Sequence, residues 1–214
     1  MSTPTAVEPP TVVTWMDLIA GAIREQADHL TQLDAAIGDG DHGINMKRGF
    51  DAVTQTLAAQ EPGLPPGRLL IVAGKTLVST VGGASGPLWG SFFRGAGRAL
   101  GDAPALDGAA LAEALAAGVK AVRDLGAAVP GDKTMVDALE PAVGALREAL
   151  ASGATLGEAA GRAAEAAEEG ARATVPLQAR KGRASYLGER SVGHEDPGAA
   201  STVIVVSALA RAVG

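Results

Sequence analysis

The sequence has 214 residues, a net charge of -6 at pH 7 and no cysteine. This length suits one domain with a sizeable core. The acidic balance argues against a general nucleic-acid-binding protein, because phosphate backbones need a basic surface. The lack of cysteine excludes disulfides, thiolate zinc sites and cysteine nucleophiles, and leaves the cytoplasm as the default location.

The N-terminal residues 1–13 contain prolines and lack the basic and apolar regions of a signal peptide, so we expect a flexible arm. We expect residues 14–214 to form a single domain. Apolar residues after Thr14 recur on one helical face and predict a first helix that ends near Leu30. A glycine-rich loop over residues 34–43 then leads to a second helix, which starts near Gly43 and ends before Glu61.

Proline and capping residues predict where the later helices start. These positions are Pro66, Pro87, Asp107, Thr134 with Asp137, and Thr155 with Glu158. Pro141 should kink or reset its helix, and the helix after Asp107 should end at Gly126. A long irregular segment follows Pro176, and the apolar residues 199–213 predict a buried last helix that is too short to span a bilayer.

The predicted fold class is all-α. About eight helices of similar length follow one another with short connections, aromatic residues make up only 3% of the chain, and no segment shows a convincing strand pattern. Small residues on facing helices allow close packing, which suits an antiparallel bundle or a closed helical barrel.

Three carboxylates lie close together in the loop between the first two helices. Asp34, Asp39 and Asp41 fall within eight positions, followed by His42 and Asn45. Like charges this close repel unless a cation neutralises them. Magnesium is held by a few carboxylates together with water and phosphate oxygens. The loop therefore predicts a magnesium–phosphate site, although Asp-Gly pairs also occur simply as solvated turns.

Three familiar motifs fail in this sequence. Gly38, Gly40 and Gly43 match a dinucleotide-binding pattern, but acidic residues stand where the pyrophosphate would lie. A calcium-binding EF-hand that starts at Asp39 would have Phe50 where a bidentate acid belongs. The sequence Gly74-Lys75-Thr76 resembles the end of a P-loop, but its first glycine is missing.

Two further segments could meet a phosphate. Residues 82–86, Gly-Gly-Ala-Ser-Gly, offer backbone N–H groups and a hydroxyl ahead of a helix. The long loop after Pro176 holds the local basic cluster of this acidic protein, and Arg183 could pair with a phosphate bidentately. Either segment could also be an ordinary solvated connection.

Four separated motifs together resemble the L subunit of dihydroxyacetone kinases. They are GDGDHGINM, GGASGPLWGSFF, GDKTMVDAL and GRASYLGERSVGHEDPGAAS, in this order, and the resemblance extends from about Leu30 to the C-terminus. It implies a closed barrel of about eight antiparallel amphipathic helices, formed by a single nucleotide-binding domain over residues 14–214. No segment resembles the substrate-binding K subunit.

The resemblance also implies the site. Two Mg²⁺ ions would be bound by Asp34, Asp39 and Asp41 and would bridge the phosphates of ADP or ATP, and Arg183 would act in catalysis. The residues implied to surround the nucleotide are His42, Gly43, Ile44, Asn45, Ala84, Ser85, Gly126, Thr134, Met135, Arg183, Asp196, Pro197 and Gly198.

The implied function is phosphoryl transfer from the nucleotide to dihydroxyacetone held on a separate K subunit. In one form, ADP stays bound as a coenzyme and is recharged by a phosphohistidine-bearing M subunit of a phosphotransferase system; the length of the chain favours this form. Alternatives are an ATP-dependent L subunit for a related ketose, a non-catalytic nucleotide-binding adaptor, and a calcium-stabilised helical bundle. A homodimer is a further expectation; nucleic-acid or membrane partners are not expected.

Overall fold

A computed structural model describes residues 7–214, which form eight α-helices and a 3-10 segment that is interrupted by a kink at Gly188. The α-helices are α1 (Pro9–Ile37), α2 (His42–Ala58), α3 (Pro66–Thr80), α4 (Ser85–Leu100), α5 (Gly108–Gly126), α6 (Val136–Ala151), α7 (Leu156–Ala173) and α8 (Pro197–Val213), and the 3-10 helix is Arg183–Ser191. Within residues 7–214 no β-strand forms, and an isolated bridge joins Val7 to Leu106. The all-α prediction is confirmed. No helix in this range is both long and apolar enough to cross a membrane.

Each α-helix packs against the next one along the chain, and α8 packs against both α7 and α1. The first and last helices are therefore neighbours in space. Closure of the eight helices into a barrel stays a prediction. The backbones of α3 and α4 come close where Gly74 faces Gly90, since a Cβ added to Gly90 would lie 2.7 Å from the Gly74 carbonyl oxygen. Gly90 thus marks a close contact between the two helices.

An aromatic cluster fills the core between the first, second and fourth helices. Phe93 of α4 is its centre, with ring centroids 5.5 Å from Trp15 of α1 and 6.2 Å from Phe50 of α2, both in edge-on geometry. Trp15 also donates its indole N–H to the carbonyl oxygen of Val205 at 2.8 Å, which ties α1 to α8. Each aromatic ring thus joins helices that are distant in sequence.

Helix α1 is longer than predicted at both ends. It begins at Pro9, after a capping box formed by Glu8 and Thr11, so residues 9–13 of the expected arm are helical. The part of that arm in residues 1–6 lies outside the described residues. At the other end, Leu30, Asp34 and Ile37 are all buried. Their spacing of four and three continues one helical face, so α1 extends to Ile37 rather than ending near Leu30.

The capping predictions for α5 and α7 are confirmed. Asp107 accepts a hydrogen bond from the Ala110 N–H, and Thr155 forms a capping box with Glu158. Pro141 does not reset its helix, because α6 runs unbroken from Val136 to Ala151. It lies only in the second turn, so the helix loses a single backbone hydrogen bond there.

Two predicted helix starts are displaced. Helix α4 begins at Ser85, so Pro87 lies inside the first turn rather than opening it. Helix α6 begins after the predicted cap, because Thr134 still belongs to the preceding turn: its N–H donates to Asp137 Oδ2 at 2.7 Å, and its Oγ1 accepts from the Val136 N–H at 3.2 Å. The predicted capping box of Thr134 and Asp137 is therefore wrong, because the N-cap of α6 is Met135, which makes no side-chain capping hydrogen bond.

Candidate functional site

A cavity of about 370 Å³ lies where every second connection between consecutive helices comes together. Its walls come from the α1–α2, α3–α4 and α5–α6 connections and from the segment between α7 and α8. Loops that follow every second helix meet at one end when neighbouring helices run in opposite directions. One end of the protein therefore gathers residues from four parts of the sequence.

The three aspartates of the α1–α2 connection come together at this cavity. Asp34 lies in the last turn of α1, and Asp39 and Asp41 lie in the connection itself. One carboxylate oxygen from each lies within 4.8 Å of the others. Asp34 is buried, whereas Asp39 and Asp41 reach solvent. Closely spaced hard oxygen ligands, open on one side to water, fit a Mg²⁺ ion that also binds phosphate.

Asp34 shapes the loop as well as facing the cavity. Its Oδ2 accepts hydrogen bonds from the backbone N–H groups of Asp41 at 2.9 Å and His42 at 3.1 Å, which are the cap and first residue of α2. Gly40 has φ of +71°, a left-handed conformation that favours glycine. The order of aspartates and glycines therefore folds the loop back so that the three carboxylates converge.

Arg183 reaches the same cluster from the 3-10 helix. Its Nε lies 3.1 Å from Asp39 Oδ2, and its side chain is 68% exposed. Among residues 7–214, no other basic side chain forms an ion pair with Asp34, Asp39 or Asp41. The guanidinium therefore stands at the open side of the carboxylate cluster, where it can also donate to a phosphate oxygen.

His42 connects three elements around the cavity. Its Nδ1 lies 3.0 Å from Ser85 Oγ at the start of α4, and its Nε2 lies 3.1 Å from Ser201 Oγ in α8. Ser201 donates its own hydroxyl proton to the Gly198 carbonyl oxygen, so His42 Nε2 must be the donor in the second pair. In the neutral ring, Nδ1 then accepts the proton of Ser85.

The protonation of His42 follows from its burial. Desolvation lowers the pKa of the imidazole, and the carboxylates of Asp34 and Asp41 oppose this effect. The neutral ring is thus favoured near pH 7. In that state the Ser85 hydroxyl directs its proton at His42 and keeps its lone pairs free. The sequence predicted His42 and Ser85 as nucleotide contacts, but it did not indicate that their side chains form a hydrogen bond with each other.

One part of the cavity wall is formed by the N-terminus of α4 and the residues before it. Gly82, Gly83, Ala84 and Ser85 all line it, and Gly83 has φ of +64°. The first N–H groups of any α-helix lack partners within that helix and carry partial positive charge. This start of α4 can therefore bind an anion in the same cavity as the carboxylate cluster.

Another part of the cavity wall contains several apolar side chains and a buried acid. Gly126, Thr134, Met135, Pro197 and Gly198 line it, together with Leu88, Val122 and Leu125. Asp196 caps α8 by accepting the Ala199 N–H at 2.7 Å. Burial raises the pKa of this carboxyl to about 7. Such an apolar wall with a few polar groups suits a planar ring, as in small-molecule sites generally.

Most of the residues predicted for the site line this cavity. The exceptions are Gly43, Ile44 and Asn45, which lie outside its lining. Gly43 is packed against α1, Ile44 is 60% exposed, and Asn45 accepts a hydrogen bond from Arg48. The assignment of these three residues to the nucleotide stays a prediction. Sequence reasoning missed Lys133, which lines the cavity and is fully buried.

The chain matches a known family. The model of the DAK2 domain matches residues 36–211, which include every residue of the cavity wall except Asp34. This chain belongs to the DAK2 domain family. Asp34 falls just before the matched range but lies beside Asp39 and Asp41 in space.

Individual members of the DAK2 family match nearly the whole chain. It is 43% identical over 201 residues to the ADP-binding subunit DhaL of the PEP-dependent dihydroxyacetone kinase of Escherichia coli, covering 94% of this chain and 95% of that subunit. It is 38% identical to the corresponding subunit of dihydroxyacetone kinase 1 of Listeria innocua, covering 91% and 92% respectively. These relatives have the length of this chain.

A solved structure shares the fold. The dihydroxyacetone kinase of C. freundii, crystallised in complex with AMP-PNP and Mg²⁺, superposes with a TM-score of 0.73 at 28% sequence identity. The match covers 99% of this chain but 36% of that kinase. This chain therefore spans about a third of the larger enzyme, which also contains parts that have no counterpart here.

Proposed function

We propose that this chain is the nucleotide-carrying L subunit of a dihydroxyacetone kinase. In this role it holds ADP or ATP through Mg²⁺ and passes a phosphoryl group to dihydroxyacetone bound on a separate K subunit. The observation that carries the proposal is the convergence of Asp34, Asp39 and Asp41 in the same cavity as the N-terminus of α4. The names of the DhaL relatives support ADP as the ligand.

Different residues of the chain would bind the metal ions and the phosphate groups of the nucleotide. Asp34, Asp39 and Asp41 would bind two Mg²⁺ ions, which supply charge neutralisation on the phosphate oxygens. The N–H groups around Ala84 and Ser85 would bind phosphate oxygens directly. His42 keeps Ser85 in place by its hydrogen bond. The backbone of residues 43–45 would complete the phosphate side.

The base and ribose would lie on the other wall. The residues proposed there are Gly126, Thr134, Met135, Asp196, Pro197 and Gly198. We assign Arg183 to catalysis, because a guanidinium at the open side of the cluster can stabilise charge on the transferred phosphoryl group. Phosphoryl transfer needs positioning and electrostatic stabilisation rather than a protein nucleophile, and these side chains supply both.

The phosphate source and the partners complete the proposal. The PEP-dependent relatives favour ADP as a bound coenzyme that a phosphohistidine-bearing M subunit recharges, in the cytoplasm. The open cavity mouth at Asp39 and Arg183 suits access by a second protein. We propose the K subunit as the acceptor partner, and a homodimer as a further assembly.

Reconstitution tests this function directly. The purified chain should retain ADP through gel filtration and should phosphorylate dihydroxyacetone only after a K subunit and a phosphate donor are added. The donor is supplied either as ATP or as the phosphorylated M subunit, and each is omitted in turn. Transfer with the M subunit alone identifies the coenzyme mode, and transfer with ATP alone identifies the exchange mode. Tight ADP binding without transfer in either mixture would make the chain an adaptor instead.

A further inference from the structure

Lys133 is a buried lysine in the wall of the cavity. Lys133 is only 1% exposed, and lysine is among the residue types that are almost never buried without a partner. Its backbone has φ of +63°, and Ala127 is the only other non-glycine residue within residues 7–214 with a positive φ. A long cationic side chain in a strained backbone position indicates a specific structural demand at this point.

The ammonium group is held by carbonyl oxygens rather than by a carboxylate. Nζ lies within hydrogen-bond distance of four carbonyl oxygens, those of Thr174 at 2.8 Å, Leu177 at 3.1 Å, Val175 at 3.4 Å and His194, so its three N–H groups are shared among four acceptors. Thr174 directly follows α7, where backbone carbonyls carry partial negative charge. Four carbonyl oxygens around one cation form a cage like those that bind a monovalent metal ion.

This cage joins three separate segments of the chain. Lys133 directly precedes Thr134 and Met135, and it reaches residues 41 and 61 positions further along the chain. His194 lies two residues before Asp196, where the cavity wall continues. The Asp196 N–H donates to Thr174 Oγ1 at 3.0 Å, so the same junction also fixes the start of α8. One side chain thus connects both sides of the apolar wall.

We infer that Lys133 is a positioning residue: its ammonium group acts as a built-in monovalent cation that holds the Thr134–Met135 and Asp196–Gly198 walls together for the nucleotide. The inference rests on the proposed function for the identity of the ligand. The junction itself is a property of the free protein. A preformed wall lowers the ordering cost of binding, so loss of the cation should act on nucleotide affinity.

The first experiment replaces Lys133 with methionine, which has a similar length and no charge. The backbone strain at this position is the same for both residues, so the change isolates the cation. We expect the affinity for Mg·ADP to fall at least about tenfold and the nucleotide KM to rise more than kcat changes. Lys120→Met is the matched control, because Lys120 is exposed on α5 and pairs with Asp124. It should leave both values unchanged.

A second experiment restores the cation without the covalent link. Lys133→Ala opens the space of three methylene groups and the ammonium, so added propylammonium should raise Mg·ADP affinity in this variant. It should have no effect on the Lys133→Met variant, whose side chain fills the space, or on the unchanged protein. Propanol at the same concentration is the uncharged control. Equal effects of propanol and propylammonium, or none of either, would overturn the cation role.

A third readout needs no nucleotide. Arg180, Lys181 and Arg190 lie between the carbonyls of Leu177 and His194, so trypsin cleavage in this loop reports how firmly the junction holds. Lys133→Met should be cut at least about tenfold faster than the Lys120→Met control, and propylammonium should slow the cutting of Lys133→Ala. Failure of the unchanged protein to bind ADP would refute the proposed function, whereas unchanged cleavage rates would refute the inference about Lys133.

Discussion

Arg183 and Asp39 form an ion pair at the open side of the cavity, with Arg183 Nε 3.1 Å from Asp39 Oδ2. Asp39 is also one of the three carboxylates that fit Mg²⁺. A carboxylate that binds a metal ion shares its charge with that ion, which weakens its attraction for a guanidinium. Metal binding should therefore free Arg183 to donate to a phosphate oxygen.

The first prediction separates the two roles of this pair. Arg183→Ala should lower the rate of phosphoryl transfer about 10²- to 10³-fold, the usual cost of removing one group that stabilises transition-state charge. The affinity for Mg²⁺ without nucleotide should be unchanged or higher, because a competitor for Asp39 is removed. Single-turnover kinetics and calorimetric Mg²⁺ titration measure the two effects. Arg183→Lys keeps the positive charge but not the bidentate donor geometry of the guanidinium, so its transfer rate should be intermediate. A parallel loss of metal affinity would mean that Arg183 only supports the fold.

The second prediction concerns the carboxylate itself. Asp39→Asn should weaken Mg²⁺ and ADP binding together, each by at least about tenfold, because the metal ions are shared by the carboxylates and the phosphates. ADP titrations at several Mg²⁺ concentrations test this coupling. Asp124→Asn, at an exposed carboxylate of α5 paired with Lys120, is the control. Unchanged ADP affinity in Asp39→Asn would refute the metal-site assignment.

Local parts of this site could be predicted from the sequence, whereas distant contacts could not. Asp34, Asp39 and Asp41 are close in sequence, so a short loop is enough to bring them together. Lys133 instead meets Thr174 and His194, which are 41 and 61 residues away, and nothing in a single sequence reports that contact. In sequence, a lysine between an aspartate and a threonine is typical of a solvated turn.

The positions of most helices can also be predicted from the sequence, because helix formation depends largely on residues that are close together in the chain. Repeating apolar faces and caps such as Thr155 with Glu158 are local signals. Helix ends were less predictable where tertiary packing decides them. The buried side chains of Asp34 and Ile37 extend α1 beyond the point near Leu30 where the apolar pattern becomes weaker.

The third prediction tests the role of His42 in joining α2, α4 and α8. His42→Phe keeps a ring of similar size but removes the hydrogen bonds to Ser85 and Ser201. The free energy of unfolding should fall by about 1–3 kcal/mol, because buried hydroxyls lose partners. Urea unfolding of the ligand-free protein measures it. His29→Phe, at an exposed position of α1, should change stability by less than about 0.5 kcal/mol. Equal effects of the two substitutions would contradict the bridging role.

The fourth prediction assigns a packing role to Gly43. A Cβ added there would lie 1.9 Å from the Ala27 carbonyl oxygen and 2.6 Å from Thr31 Oγ1. Gly43→Ala should therefore push α2 away from α1, destabilise the protein by about 1–3 kcal/mol and weaken Mg²⁺ binding at the adjoining loop. Thermal unfolding and Mg²⁺ titration check the two effects.

Gly21 provides the control for this substitution. It lies inside α1, and nothing lies within 4 Å of an added Cβ. Gly21→Ala should be stabilising by up to about 1 kcal/mol, because alanine favours helices more than glycine does. If Gly43→Ala proved as harmless as Gly21→Ala, the close approach of α1 and α2 at this point would be wrong.

The fifth prediction concerns the pH dependence that Asp196 introduces. Burial raises the pKa of its carboxyl to about 7, whereas an unfolded chain has an ordinary aspartate pKa near 3.9. Between these values the native state binds more protons than the unfolded state. The free energy of unfolding therefore falls as pH rises through this window, by up to about 1.4 kcal/mol per pH unit from this group.

Asp196→Asn should remove this slope while it keeps the cap, because asparagine also accepts a hydrogen bond from the Ala199 N–H. The variant should gain stability over the unchanged protein progressively from pH 5 to about pH 7, and the gain should then level off, measured by urea unfolding without metal or nucleotide. Asp107→Asn makes the same change at the exposed cap of α5, which accepts the Ala110 N–H at 2.7 Å. This substitution is the control, because the Asp107 cap is exposed. A difference between Asp196→Asn and the unchanged protein that stays constant with pH would show that the native carboxyl does not hold its proton.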